Sequence, residues 1–183
     1  MMRITGGTYR SRQIQAPKGN ETRPTSSVVR EAVCNRLGQR IPGAMVLDLF
    51  CGSGILSLEA VSRGAQGAIL VDVNREAAAV ARRNVQALGL GDVCRVYQSD
   101  YLRALSLFKR DGLGFDLGFF DPPYRSGFYQ RALDLSFDGV FKEDAVCVCE
   151  FGTKDGFPYT GNGWEVTDIR RYGSRSVAFI RSK

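Results

Sequence analysis

Two stretches of the chain bring together residue types that can do chemistry. Asp121, Pro122, Pro123 and Tyr124 follow an apolar run at 115–120. Consecutive prolines fix φ and remove two N–H donors, so this loop offers carbonyl oxygens as acceptors beside a carboxylate. Such a site holds an amino group and gives almost nothing to an oxyanion, and the flat ring of Tyr124 suits stacking on a base drawn out of its helix. The plain alternative is a rigid turn after a strand. The second stretch runs from Val46 to Gly54, where an apolar segment carrying Asp48 feeds Phe50, Cys51, Gly52, Ser53 and Gly54, with apolar residues again from Ile55 to Ala60. That order gives strand, tight loop, helix. Gly52 and Gly54 let the backbone take unusual angles and come close to a ligand. A dinucleotide fingerprint needs a third glycine and bound pyrophosphate, whereas a carboxylate at the strand end repels phosphate. The pattern favours a cationic, phosphate-free ligand, which S-adenosylmethionine (SAM) satisfies. The alternative is an ordinary strand-to-helix turn that needs glycine.

Two more acids stand at strand ends. Asp72 closes the apolar run 68–72, and Asp100 follows the run 93–98. An acid in the position of Asp72 suits hydrogen bonding to two ribose hydroxyls. Asn74 is already placed to cap the helix expected at 75–88, which weakens a capping role for Asp72. Asp100 is placed to accept the exocyclic amine of adenine. Ends of successive parallel strands line one crevice, so Asp48, Asp72 and Asp100 are expected to converge on one ligand.

The elements that must position these groups follow from the rest of the chain. Residues 3–14 carry apolar and β-type residues around Gly6 and Gly7, with basic Arg3, Arg10 and Arg12, which suggests a small exposed hairpin, either a solvated ribbon or an RNA contact. A turn-rich link at 16–21 leads to a helix capped by Thr25 or Ser26, striped by Val29, Val33 and Leu37 and ended by Gly38. Arg23 and Arg30 at its start could hold a phosphate or a ligand carboxylate, or Arg30 could form a surface pair with Glu31. The helix after Gly54 closes near Arg63 and Gly64. A helix begins near Phe128 and continues through 131–135, a buried strand occupies 145–150, and a glycine- and aromatic-rich loop at 152–164 flanks the substrate. Segments 166–172 and 176–180 make a closing hairpin around Gly173.

Composition narrows the chemistry. The chain has 183 residues, enough for one domain with a sizeable core, and its formal charge of +6 is consistent with a polyanionic partner. It has no histidine, which excludes histidine triads and most zinc sites. Any chemistry must run on carboxylates, carbonyl oxygens and aromatic rings. Five cysteines, Cys34, Cys51, Cys94, Cys147 and Cys149, form no C-x-x-C pair and suggest reduced, packed thiols, with no metal site. No membrane-spanning run and no signal peptide are expected, which places the protein in the cytoplasm.

The glycine loop and the Asp121 loop together resemble the class I SAM-dependent methyltransferases that modify exocyclic amines. Within them the chain is similar to the RsmD family of small-subunit ribosomal RNA guanine-N2 methyltransferases, through Arg3 to Gly7 with Arg10 and Arg12, Thr22 to Thr25, Val29 to Glu31, and Tyr172 with Gly173. It departs at Ser27, Cys34 and Asp72, where aspartate, phenylalanine and glutamate are usual. The resemblance implies an α/β, Rossmann-like, seven-stranded sheet with helices on both faces and an antiparallel strand in its last hairpin. It implies an N-terminal basic hairpin extension at 1–20 and a methyltransferase domain at 21–183. The implied catalytic set is Asp121, Pro122, Pro123 and Tyr124. The implied cofactor set is Asp48, Cys51, Gly52, Ser53, Gly54, Asp72, Val73, Asp100 and Tyr101, with Thr25 at the methionine end. Arg3, Arg10, Arg12, Arg23 and Arg30 are the expected RNA contacts. SAM is the expected cofactor, S-adenosylhomocysteine its product, and no metal is called for. The expected partner of a monomeric enzyme is ribosomal RNA within an assembling or assembled small subunit. An adenine-N6 methyltransferase of DNA, a protein glutamine methyltransferase, and a SAM-binding RNA chaperone without turnover are the competing readings.

Overall fold

Runs that are apolar at every position become strands covered on both faces, and here they form the middle of one sheet. A computed structural model describes residues 2–17, 26–122 and 127–183. The chain opens with β1 (Met2–Arg3) and β2 (Gln13–Ile14), then α1 (Ser27–Leu37), a 3₁₀ turn at Gly38–Arg40 and β3 (Met45–Asp48). Next come α2 (Ile55–Ser62), β4 (Gly67–Asp72), α3 (Arg75–Ala87), β5 (Cys94–Gln98), α4 (Tyr101–Arg110) and β6 (Phe115–Phe120). The last elements are α5 (Phe128–Phe137), β7 (Phe141–Gly152), β8 (Trp164–Tyr172) and β9 (Arg175–Ser182). Seven strands lie in the order β5-β4-β3-β6-β7-β9-β8. Only β9 runs against its neighbours, which gives the expected Rossmann-like sheet with its antiparallel final hairpin strand.

The strand period of two divides the core. Val46, Leu70, Phe119, Val146 and Val148 face α1, α2 and α3, while Leu47, Ile69, Val71, Phe120, Cys147 and Cys149 face α4 and α5. The hairpin of β1 and β2 is shorter and better anchored than a free ribbon. Its Ile4 and Ile14 enter the same core as α2, and Thr5 donates from its backbone N and its hydroxyl to the two carboxylate oxygens of Glu59 at 2.8 and 2.9 Å. The segments expected at 1–20 and 21–183 therefore share one core.

Two differences from the sequence reading have clear causes. The sequence reading assigned no element to α4. Its signal is an apolar stripe, Tyr101, Ala104, Leu105 and Phe108, capped by Asp100, whose Oδ1 accepts from Leu102 N at 2.9 Å. β7 extends beyond the apolar run 145–150 in both directions, and its start is not marked by that run because Lys142 to Asp144 are exposed and polar.

Candidate active site

Four carboxylates stand along one edge of the sheet. Asp100, Asp72, Asp48 and Asp121 sit at the carboxyl ends of β5, β4, β3 and β6, which are successive neighbours. Strands about 4.8 Å apart bring these acids within the span of one small ligand. From β3 the chain moves outward to β4 and β5 and then returns to the other side at β6. The gap between β3 and β6 is thus the topological switch point, where open α/β sheets bind ligands.

Asp48 is buried at 3 % exposure, and Ser57 donates its hydroxyl to Asp48 Oδ2 at 3.0 Å. Burial pushes its carboxyl up to about 7, with the Ser57 hydrogen bond opposing and the Asp72 charge adding. The following loop is held at several points. Cys51 N donates to Val71 O at 3.0 Å, Gly54 N to Cys51 O at 2.7 Å, and Asn84 Nδ2 to Ser53 O at 2.9 Å. Gly52 and Gly54 have φ of 54° and 78°. The two glycines serve different ends. A Cβ on Gly54 would come within 2.6 Å of Leu70 Cδ2, whereas one on Gly52 would meet nothing within 4 Å. Gly54 lets the loop pack on β4, and Gly52 leaves open space in front of it.

Asp72 spans this space. Its Oδ2 accepts from Gly52 N at 2.9 Å and its Oδ1 from Asn74 N at 2.8 Å. Each oxygen keeps a further lone pair for a ligand hydroxyl. Burial raises this carboxyl as well, with the two backbone hydrogen bonds opposing. Asn74, not Asp72, caps α3, through Glu76 N and Ala77 N. Val73 beside it is 68 % exposed, an apolar surface open at the crevice. Asp100 has a second task as the cap of α4, and its Oδ2 accepts no hydrogen bond among the described residues. Tyr101 is buried, its ring 5.5 Å from Phe50 and 5.4 Å from Phe128, so it builds the crevice wall.

Asp121 is half-buried and Pro122 buried. Pro123 and Tyr124 lie outside the described residues, as do Arg23 and Thr25. Phe120 pairs with Cys149, so the next residues, Asp121 and Glu150, stand side by side. Arg175 of β9 closes on this pair, with its Nε 3.4 Å from Glu150 Oε1. Burial pushes the Asp121 carboxyl up to about 8, Glu150 and Asp48 push the same way, and Arg175 opposes them. Tyr129 donates its hydroxyl to the Glu150 carbonyl, and Phe157 and Tyr159 pack on its ring. The loop 152–164 thereby supports the wall behind Asp121. Sequence reasoning missed Ser57, Asn84, Glu150 and Arg175. The available signal was a polar residue inside an otherwise apolar face, which needs a partner when buried.

The expected RNA contacts divide. Arg3, Arg10 and Arg12 are exposed. Arg30 is corrected: it is 2 % exposed, its Nε lies 3.3 Å from Glu59 Oε1, and its Nη2 donates to the Arg3 carbonyl at 2.8 Å. It shares the buried face of α1 with Val29 and Val33, and Glu59 of α2 supplies the opposite charge, so neither a surface pair with Glu31 nor an RNA contact fits. Cys147 and Cys149 share one face of β7 with their Sγ atoms 4.0 Å apart, buried in the core. A cavity of about 680 Å³ between α5 and residues 160–164, lined by Gln130, Asp134, Trp164 and Lys183, contains none of the expected site residues. Among the described residues no helix is long and apolar enough to cross a membrane.

Known proteins resemble this chain in sequence and in architecture. The family model described as "Conserved hypothetical protein 95" matches residues 2–181. The chain is 33% identical over 183 residues to "Putative rRNA methyltransferase YlbH" of Bacillus subtilis, covering 100% of both. It is 34% identical over 166 residues to "Ribosomal RNA small subunit methyltransferase D" of Escherichia coli, covering 90% of this chain and 82% of that one. The solved structure of "Putative methyltransferase yhhF" from Escherichia coli superposes with a TM-score of 0.86 at 30% identity, covering 100% of this chain and 98% of that one.

Proposed function

The chain belongs to the family described as conserved hypothetical protein 95, the RsmD family, and from that membership and the four-carboxylate edge we propose that it methylates the N2 amine of a guanine in small-subunit ribosomal RNA. It is a SAM-dependent methyltransferase of the ribosomal RNA type. The single observation that carries the finer reading is the position of Asp121 and Pro122. They follow β6 directly across the switch point from the Asp48 and Gly52 cradle.

The residues present fit SAM. The open face of Gly52 leaves room where a Cβ would otherwise stand, and Asp72 bridges from the loop to the start of α3. Asp72 would hold the ribose hydroxyls, Val73 would lie against the adenine, and Asp100 Oδ2 would accept its amine. The loop from Cys51 to Gly54, with Tyr101 behind it, would enclose the remainder, Thr25 is the residue proposed for the methionine end, and Asp48 would favour the cationic end. When bound, SAM supplies a methyl group made electrophilic by its sulfonium.

The amine must be prepared by this chain. Asp121 and the Pro122 carbonyl would accept its two N–H bonds, and Tyr124, beside Pro123 in sequence, would stack on the flipped base. Conjugation drains the lone pair of this nitrogen into the ring. Two fixed acceptors favour a pyramidal nitrogen and direct its lone pair at the methyl group. The methylated nitrogen carries an extra proton and is strongly acidic, so that proton can leave after transfer. Arg3, Arg10, Arg12 and Arg23 would engage the RNA backbone. A monomer of this size has little surface for reading sequence, so folded RNA in an assembling or assembled subunit supplies much of the specificity.

Nucleoside mass spectrometry tests the proposal. Small-subunit RNA from a strain lacking the protein should lack one N2-methylguanosine, and purified protein with SAM should restore it on those subunits. No change in that nucleoside, with SAM still bound, overturns guanine-N2 specificity. Methyl transfer to DNA adenine or to a protein glutamine would replace it, and SAM binding with no transfer to any of these would leave a non-catalytic RNA-binding role.

A further inference from the structure

The two helical layers differ in charge. On α4 and α5 the exposed cations Arg103, Lys109, Arg110 and Arg131 share their surface with Asp111, Asp134 and Asp138. Ion pairs join Lys109 to Asp138 at 2.7 Å and Arg110 to Asp111 at 2.9 Å. The opposite layer is not balanced. The hairpin presents Arg3, Arg10 and Arg12, and the outer face of α3 presents Arg75, Arg82 and Arg83 against the single acid Glu76.

These two groups of arginines form one surface. Gln15, just past β2, donates from its N to Asn84 Oδ1 at 2.9 Å and accepts from Asn84 Nδ2 at 3.0 Å, which fastens the hairpin along α3. Across that seam Arg12 Nη2 donates to Ala87 O at 3.3 Å, and Arg83 Nε donates to Gln15 Oε1 at 3.4 Å. Arg82 Nη2 donates to Val96 O at 3.3 Å, and Arg3 Nη1 to Ser11 O at 3.1 Å. Four of the six guanidinium groups are thus oriented by neutral oxygens. Among the described residues no ion pair neutralises any of the six. An oriented guanidinium that keeps its full charge and spare donors is preorganised for a phosphate oxygen.

We propose that Arg82 and Arg83 of α3 continue the hairpin's RNA surface, so that the sugar–phosphate backbone of folded ribosomal RNA lies across β1, β2 and α3 rather than across α4 and α5. This inference rests on the ribosomal RNA reading above. α3 is about 20 Å long, so the surface engages several phosphates and supplies position rather than base identity. The seam explains why the hairpin is fastened to α3 instead of extending free: one rigid cationic surface orients the RNA relative to the crevice edge where α3 begins.

The test uses the full chain and small subunits from a strain lacking it, with four double variants, R82E/R83E, R82Q/R83Q, R10E/R12E and K109E/R110E. R82E/R83E should raise KM for subunits at least about tenfold with kcat at saturation retained, and R82Q/R83Q should give an intermediate effect. The slope of log KM against log salt should fall by about 1.5 for two lost phosphate contacts. SAM affinity and melting temperature should remain those of the parent, and K109E/R110E should leave KM within about twofold. Parental KM in R82E/R83E, with R10E/R12E impaired, overturns the inference and confines the surface to the hairpin. Equal losses in R82E/R83E and K109E/R110E also overturn it, because net charge alone would then act. Impairment on subunits with unchanged binding to protein-free ribosomal RNA would assign the surface to a protein partner instead. Failure of the parent protein to bind or methylate ribosomal RNA would overturn the functional reading itself.

Discussion

Asp121, just past the end of β6, and Glu150 of β7 stand side by side, one residue beyond the paired Phe120 and Cys149, with Arg175 of β9 against Glu150. The Glu150 carboxylate opposes ionisation of Asp121, and the arginine favours it. Asp48 across the gap adds to the opposition. The group proposed to grip the substrate amine thus has its charge set by two residues that need not touch the substrate.

This arrangement has a pH signature. With the Asp121 carboxyl raised to about 8, kcat should rise with pH through that region as its acceptor form accumulates. Glu150→Gln should move the rising limb to lower pH and Arg175→Met to higher pH, each by about one unit. The measurement is kcat against pH at saturating SAM and RNA, with melting temperature as the folding check. A limb unmoved by both substitutions would separate the pair from Asp121.

Asp121→Ala removes one of two acceptors used at the moment of transfer. Its kcat should fall at least about 100-fold, comparable to loss of one preorganised contact to the transition state, while SAM affinity stays within about threefold. Equilibrium SAM binding and single-turnover transfer separate the two. Equal loss of both would place Asp121 in the cofactor site instead.

Asp48 couples function to stability with a definite sign. A carboxyl raised from 3.8 to about 7 on folding favours the folded state while it is protonated. That stabilisation is fully present below pH 3.8 and is lost as pH rises through about 7. Without cofactor, Asp48→Asn should therefore melt several degrees higher than the parent at pH 8, and the difference should shrink toward pH 5. SAM should bind the parent more tightly as pH rises from 6 to 8, because the cation favours ionised Asp48, and Asp48→Asn should lose both this dependence and most of the affinity. Thermal melts and calorimetry across that range read both effects.

The strand-end acids were legible in the sequence because each closes an apolar run, and the period of the helices between those runs fixed the parallel order. Asp121 was legible through its prolines. The partners of these acids were not. Glu150 looks like the polar end of an apolar strand, and Arg175 like a residue of a surface turn. Only the pairing of β7 with both β6 and β9 brings them to Asp121. Asp100 looks like a ligand acid alone in the sequence, and its second role appears only with the stripe of α4 that it caps. Arg30 misled for a related reason. A cation at a helix start looks available, and its burial depends on Glu59, which sits 29 residues away in a helix otherwise apolar enough to need no charge.

Arg30 and the hairpin arginines should consequently differ in what they change. Glu59 is fully buried, accepts from Thr5, and lies 3.3 Å from Arg30 Nε and 3.6 Å from Arg63 Nη2. Removing one partner leaves a buried carboxylate only partly compensated, a loss of about 3 kcal/mol. For a chain of this size that lowers the melting temperature by roughly 5–10 °C. Arg30→Ala should show this drop, whereas R10E/R12E should melt like the parent and bind subunits weakly with a reduced salt slope. Arg30→Met with Glu59→Gln should recover part of the stability, since no uncompensated carboxylate is then left buried beside Arg63. If Arg30→Ala instead melts normally and binds RNA poorly, the buried pair opens in solution and Arg30 belongs with the RNA-contacting arginines after all.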